Sequence, residues 1–264
     1  MLEATLEGIG FWGNGLPDWD SACAWMRSGE RALDPPARPS PQLLAANERR
    51  RAPATVAVAL EAALAACHAA DRDPATLPSV FTSNHGELSI TDYMCATLAE
   101  DPYAISPTRF HNSVHNAAAG YWTIGAGTHA AATAISAGEH SFAQGLLEAL
   151  AQLHAGEPAV LLVAYDGSAT GPLADVSPSE GLLGAALVLS GSACAGLPTL
   201  KLRLHAQAPA ADLPQPDAGP LMQLYAANAM SPLLPLLQAL AMDQDTLWMP
   251  AGGEQWLEIG ISHE

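Results

Sequence analysis

The sequence predicts an α/β fold in which a mixed sheet is covered by helices. Three observations carry this. Strand-like and helical runs alternate through the first two-thirds of the chain, the order that layers helices on a sheet. The run Ala159–Ala164 (AVLLVA) is apolar without alternation, as a strand buried on both faces must be. The stretch Ala54–Ala70 is rich in alanine and leucine, with no internal glycine or proline, and reads as a long packed helix.

The elements follow in order. Residues 2–11 form a strand that ends at the glycines Gly10, Gly13 and Gly15. Asp18 or Asp20 caps a short helix running to Met26. Residues 29–47 are proline-rich and loop-like, and Pro53 stands where a helix can begin. The helix 54–70 is followed by a strand over 77–83, a turn at Asn84-His85-Gly86-Glu87 and a helix over 91–100. Residues 106–112 read as a loop, 114–124 as a helix, and 128–135 as a strand. Gly138 marks a tight turn before a helix over 140–154. Strands are expected at 159–164, 181–190 and 199–205. A proline-rich loop covers 208–220, and a helix (233–242) and a strand (256–261) close the chain.

Composition excludes several functions. The 264 residues suit one large domain or two small ones. Apolar residues reach 49% and charged residues only 14%, so part of the surface must be weakly polar, as at a partner interface. Ten basic residues and a net charge of −17 leave no cationic face for nucleic acid. The same deficit argues against anionic membranes and against direct binding of an acidic carrier protein. The few arginines cluster at Arg49-Arg50-Arg51, a run that reads as the solvated start of the next helix. Cys23, Cys67, Cys95 and Cys194 are far apart and form neither a disulfide framework nor a zinc site, which fits a reducing cytoplasm. The amino terminus has no secretion-signal pattern, and no stretch is long and apolar enough to span a bilayer.

The most informative stretch is Thr128–Glu148, which reads strand, tight turn, helix. In many enzymes this unit presents a nucleophile at the turn. Its Thr133-Ala134-Ile135-Ser136-Ala137-Gly138 resembles the Thr-Ala-Cys-x-Ser-Gly run of β-ketoacyl synthases of the thiolase superfamily. Three further features agree in order. Arg49-Arg50 precedes a long alanine-rich helix. Ser106-Pro107-Thr108 through Phe110, Ser113 and Asn116 resembles the loop and interface helix ahead of the nucleophile strand. Gly156 followed by AVLLVAYDG resembles the next core strand. The run FHNSVHNAAAGYW is similar to shortened ketosynthase-like proteins of aryl polyene and xanthomonadin clusters.

The resemblance covers about residues 1–190, an amino-terminal ketosynthase half, with 191–264 as a reduced strand–loop–helix–strand segment on the same sheet. It implies a truncated thiolase-like fold. The departures from the family matter more. Ile135 stands where the acyl-accepting cysteine belongs, and a side chain without a heteroatom cannot exchange thioesters. The repeat that supplies the family's catalytic histidines is missing, and only His205 and His263 remain late in the chain. The resemblance therefore implies a non-catalytic subunit of chain-length-factor type. It would pair with a full-length ketosynthase, need no cofactor, and meet acyl carrier protein only through that partner. His111, Asn112, Ser113, Val114, His115, Asn116, Ala117, Ala118, Tyr121, Thr133 and Ile135 are the candidates for the interface or the partner's channel. Within them, Val114, Ala117, Ala118 and Tyr121 share helical spacing.

Two rival readings have residues to name. His111 and His115 stand at i, i+4 with His129 near in sequence, but the glutamate of HExxH is absent, so no metal site is expected. Ser136 in Ala-x-Ser-x-Gly comes within one residue of a nucleophile elbow. Asp166 and His205 or His263 would then complete the triad of an α/β-hydrolase-like esterase. The Gly-rich opening lacks the spacing of a dinucleotide fold.

Overall fold

Strand β1 (Leu2–Gly13) is placed at the middle of the sheet by its glycines. Gly8 and Gly10 face helix α3 (Ala54–Ala69), and a Cβ at either would collide with the Ala66 or Ala62 carbonyl. Small residues on both sides thus let α3 lie directly on the strand. In this computed structural model, which describes residues 1–208 and 219–263, helix α1 (Trp19–Ser28) comes next. Its cap is Asp18, whose Oδ1 accepts from the Ser21 amide at 2.8 Å. Gly29 closes the helix in the left-handed conformation. The proline-rich segment then runs to a short helix, α2 (Ala46–Arg51).

Strand β2 (Ser79–Thr82), helices α4 (Leu88–Glu100), α5 (Pro107–Asn112) and α6 (Ala117–Ala126), and strand β3 (Ala132–Ile135) follow. Helix α7 (Ser141–His154) leads to β4 (Ala159–Asp166), β5 (Leu183–Ser190) and β6 (Thr199–His205). The described chain ends with α8 (Pro220–Tyr225), α9 (Leu234–Ala241), β7 (Thr246–Gly252) and β8 (Gln255–Ser262).

The described strands form one eight-stranded sheet ordered β3-β2-β4-β5-β1-β6-β8-β7. The β3-β2-β4 group is parallel, and every other pairing is antiparallel. β4 and β5 are buried along their whole length, as the apolar run required. One core lies between the sheet and α7, α8 and α9, and holds Leu146, Leu162, Leu236 and Ile259. The other lies under α3 and α6 and holds Val58, Phe81, Trp122 and Tyr165. The mixed, helix-covered α/β sheet is the one expected.

Several elements differ from the sequence reading. Residues 106–112 are a helix turn, not a loop, because Ser106 caps it and Pro107 takes its first position. The helix expected from 114 starts only at Ala117, since residues 113–116 form turns. The expected strand over 128–135 is confined to 132–135. α8 and β7 were not foreseen, and the second carries Pro250, a residue that argues against a strand unless the strand lies at an edge. Most of the expected loop 208–220 lies outside the described residues.

Candidate functional site

β3 is the last strand on its side of the sheet and pairs only with β2, Thr133 beside Val80 and Ile135 beside Thr82. The Ser79 amide donates to Ala131 O at 2.9 Å and the Ser83 amide to Ile135 O at 3.2 Å. In a parallel ladder alternate residues face the neighbour, so Ala132 and Ala134 turn their N–H and C=O groups to the open edge. Ile135 is half-buried and leans on the α7-side core.

The turn after Ile135 is held by a polar network that starts at its carboxylate, Asp166. Asp166 is fully buried at the end of β4. It accepts from Ser83 Oγ at 2.6 Å, the Asn84 amide at 2.8 Å and the His85 amide at 3.2 Å. Burial raises its carboxyl to about 6, against the pull of these donors and of His85. Asn84 passes the constraint on. Its carbonyl accepts from Ser136 Oγ at 3.0 Å, and its Oδ1 accepts from Ser141 Oγ at 2.8 Å. Ser141 Oγ also accepts from the Ala137 amide at 2.9 Å. Gly138 takes the left-handed conformation within this turn. His115 Nε2 donates to Ser83 O at 2.9 Å, and His85 Nε2 meets Ser177 Oγ at 2.6 Å.

Helix α7 begins at Ser141, six positions after Ile135, so its amino-terminal dipole does not act on that residue. Ile135 thus offers no thiol, and no helix begins at the position that follows it.

The structure brings His111, Asn112 and Tyr121 together and turns His115 away from them. His111 is exposed on α5 with its ring 6.2 Å from that of Tyr121, whose hydroxyl donates to Asn112 Oδ1 at 3.0 Å. Val114 and Asn116 are exposed in the turn before α6, and Ser113 Oγ donates to Phe110 O at 2.8 Å. Asn112 and Ala118 are buried, with Ala118 only 1% exposed and packed in the α3-side core. Ala117 and Tyr121 pack partly on that same core. Val114 precedes α6 and so does not share the helical face inferred for it with Ala117, Ala118 and Tyr121, which pack on the α3-side core. Among the described residues no three His, Cys, Asp or Glu side chains could hold a metal, and His115 turns in to Ser83 while His111 stays outside.

The hydrolase triad is not assembled. Ser136 Oγ donates to a carbonyl, and Asp166 is consumed by Ser83 and two amides. His205 sits on β6 against Glu258 Oε2 at 2.9 Å. Five strand spacings, about 24 Å, separate β3 from β6.

The sequence reading missed several exposed apolar side chains, one of them on α6, which packs beside β3. Ile124 on α6 is 73% exposed and Tyr103 98%, with Phe110 and Val176 also open. A groove of about 230 Å³ runs beside Ile124, lined by Leu44, Thr108, His111 and Tyr121. Phe110 and Ile124 lie within or next to the segment already singled out, so their type and position were a usable signal.

With this geometry in hand, comparison with known proteins is informative. The profile of the family described as "Beta-ketoacyl synthase, N-terminal domain" matches residues 22–257. No curated protein matches the sequence. Among solved structures, the ketosynthase (ApeO) in complex with its chain length factor (ApeC) from Xenorhabdus doucetiae superposes with a TM-score of 0.75. It is 24% identical, with 98% of this chain and 100% of that chain covered. The ishigamide ketosynthase/chain length factor superposes at 0.69, with 13% identity and 99% of each chain covered. A ketosynthase from Burkholderia phymatum STM815 gives 0.60 at 12% identity, with 93% of this chain and 71% of that chain covered. These likenesses establish the fold, a thiolase-like one shared with ketosynthases.

Proposed function

Because the chain belongs to the β-ketoacyl synthase N-terminal domain family, we propose that it is a non-catalytic ketosynthase-like subunit of chain-length-factor type. It pairs with a full-length, active ketosynthase and stabilises it in aryl polyene, polyketide or fatty-acyl chain assembly. Carrier-bound acyl groups reach the pair through the ketosynthase. Residues 191–264 replace the histidine-bearing repeat with three strands and two short helices among the described residues, and the four free cysteines suit a reducing cytoplasm.

One observation carries the reading. The residue in the nucleophile position is an isoleucine, and it ends a strand whose outer edge is open. Chemistry is removed there while a pairing surface is kept. Ala132 and Ala134 offer two donors and two acceptors to a strand of the partner, and Ile124 on the neighbouring α6 adds exposed apolar area. Hydrogen bonds worth roughly 1 kcal/mol each fix the register, and the apolar rim supplies most of the affinity. Solved complexes of a ketosynthase with its chain length factor support pairing of this kind.

Co-expression with a ketosynthase from a neighbouring reading frame tests the proposal. A 1:1 complex by light scattering, with condensing activity lost on mutating the partner's cysteine and kept in every variant at Ile135 that preserves the complex, is the expected result. A chain that stays alone in the presence of every neighbouring ketosynthase rejects it.

A further inference from the structure

Part of the sheet is covered on one side only. α3 lies on β4, β5 and β1. Beyond β1, the inner face of β6, β8 and β7 holds Leu202, Ile259 and Met249 in the core, while the outer positions are exposed or half-exposed. These outer positions fall into rows. Arg203, Glu258 and Trp248 stand side by side across the three strands, and His205, Trp256 and Pro250 form the next row. Trp248 leans across β8, with its ring 4.6 Å from that of His205. His205 Nε2 lies 2.9 Å from Glu258 Oε2. Arg203 has Glu258 opposite it and Lys201 has Glu3, yet among the described residues neither cation has a carboxylate oxygen within 4.0 Å.

We propose that this face docks on the same face of a second copy of the chain, as a reversible twofold dimer. The inference does not use β3 and is independent of pairing with a ketosynthase. Charge selects the occupant. Lys201 and Arg203 balance Glu3 and Glu258 here, on a chain whose net charge is −17, so two copies meet at this face without stacking an excess of either sign. Geometry selects the arrangement. A twofold axis running along the strands, midway between β6 and β8, lays β6 of each copy over β8 of the other. Arg203 of each copy then meets Glu258 of the other, and His205 of each meets Trp256 of the other. An axis across the strands at that row would instead set Arg203 on Arg203 and Glu258 on Glu258, which like-charge repulsion disfavours. Stacked sheets lie about 10 Å apart, a gap that arginine and tryptophan side chains fill.

The patch is small. Four strands about 4.8 Å apart and about seven residues at 3.4 Å each outline roughly 450 Å². Two copies bury on the order of 900 Å², below the roughly 1,200 Å² at which stable complexes begin. The dimer is therefore weak, half-assembled in the range of about 10–100 µM. Repulsion between the acidic remainders of the two copies is screened beyond about 8 Å at physiological salt.

The test is sedimentation equilibrium of the full chain by itself, over about 5–300 µM at physiological salt. A mass that rises from one chain toward two, and no further, is expected. Arg203→Glu and Glu258→Arg should each weaken self-association at least about tenfold. Mixed together, the two variants should recover a 1:1 dimer close to native affinity, because every charged position again faces its opposite. The control Glu157→Arg, exposed after α7, makes the same charge change elsewhere and should leave the dimer as it is. Thermal melts check that each fold is kept, and Glu258→Lys takes the place of Glu258→Arg if the arginine unfolds the chain. A native chain that stays monomeric to about 300 µM overturns the proposal without any variant. Single variants that fail to rescue one another, or a control that weakens association equally, overturn it too. A monomeric native chain whose ketosynthase complex is lost in Glu258→Arg overturns it in favour of that partner on this face.

Discussion

The two edges of the sheet have been treated in opposite ways. The β7 edge is closed to partners. It carries Pro250, which has no N–H to offer, and its register breaks between Pro250 and Gly252. Gln144 of α7 reaches over and donates to Ala251 O. These are the ordinary devices that keep an edge strand from pairing with a foreign one. The β3 edge has none of them. It is made of Ala132, Thr133, Ala134 and Ile135, with no proline, charge or bulge, and a polar network fixes the turn at its end.

Placing a proline on the bare edge is the strongest way to break the contrast. Ala134→Pro removes an N–H that points outward and leaves the ladder with β2 intact. Loss of the ketosynthase complex by a factor of about 100 or more is expected, with stability of the isolated chain changed by less than about 1 kcal/mol. Sedimentation of the mixed subunits and a melt of the variant alone measure the two effects.

The second test is aimed at the network behind that edge. Asp166→Asn offers one acceptor oxygen to three donors and turns an NH₂ toward one of them. It should cost about 1–3 kcal/mol at pH 7, seen as a lower urea midpoint. A pH series sharpens this. The folded carboxyl titrates near 6, above its ordinary 3.8, so between these values the folded chain holds a proton that the unfolded chain has lost. Its contribution to stability is therefore full below about pH 4 and falls as pH rises toward 6. The Asn variant lacks this slope, and the gap between the two chains should narrow over that window.

Ser141→Ala is a milder probe of the same turn. It removes the acceptor for the Ala137 amide and the donor to Asn84, for a loss of about 1–2 kcal/mol and a smaller loss of complex affinity than Ala134→Pro causes. The smallest effect is expected from the guarded side. Pro250→Val restores an edge N–H at β7, and slight concentration-dependent self-association by light scattering, with no change in ketosynthase binding, is the anticipated result. Equal self-association in the native chain would mean that Pro250 guards nothing.

Much of this architecture was legible in the residues, and what was not has identifiable causes. The apolar run of β4 and the alanine-rich α3 announced themselves because burial on all sides leaves no polar alternation to confuse them. β7 escaped because Pro250 and Gly252 are the residues that a strand normally avoids, and only its position at the edge permits them. α5 and α8 each begin with proline after a turn residue, a helix-start signal that a six-residue element is too short to reinforce by periodicity. At the site, the reading of Ile135 as standing in the acyl-cysteine position rests on the matching Thr133, Ala134 and Gly138 around it. The Asp166 network was not visible, since Ser83 and Asp166 are 83 positions apart and no local pattern links them. That α7 starts late was likewise hidden, as glycine and alanine at 137–138 fit a short turn as readily as a long one.

The place of β1 bears on how the chain is made. This strand pairs with β5 over Thr5–Gly13 and with β6 over Leu2–Thr5, segments that begin about 170 and 186 residues after β1 ends. At a synthesis rate of roughly 5–20 residues per second, β1 waits on the order of ten to thirty seconds for its first neighbour. During that time helices such as α1 and α3 are available to shelter it, and the glycine-to-alanine contact lets α3 pack on it early. The sheet closes late and through distant pairings, so this chain should be a slow folder whose yield depends on chaperones and on the rate of translation.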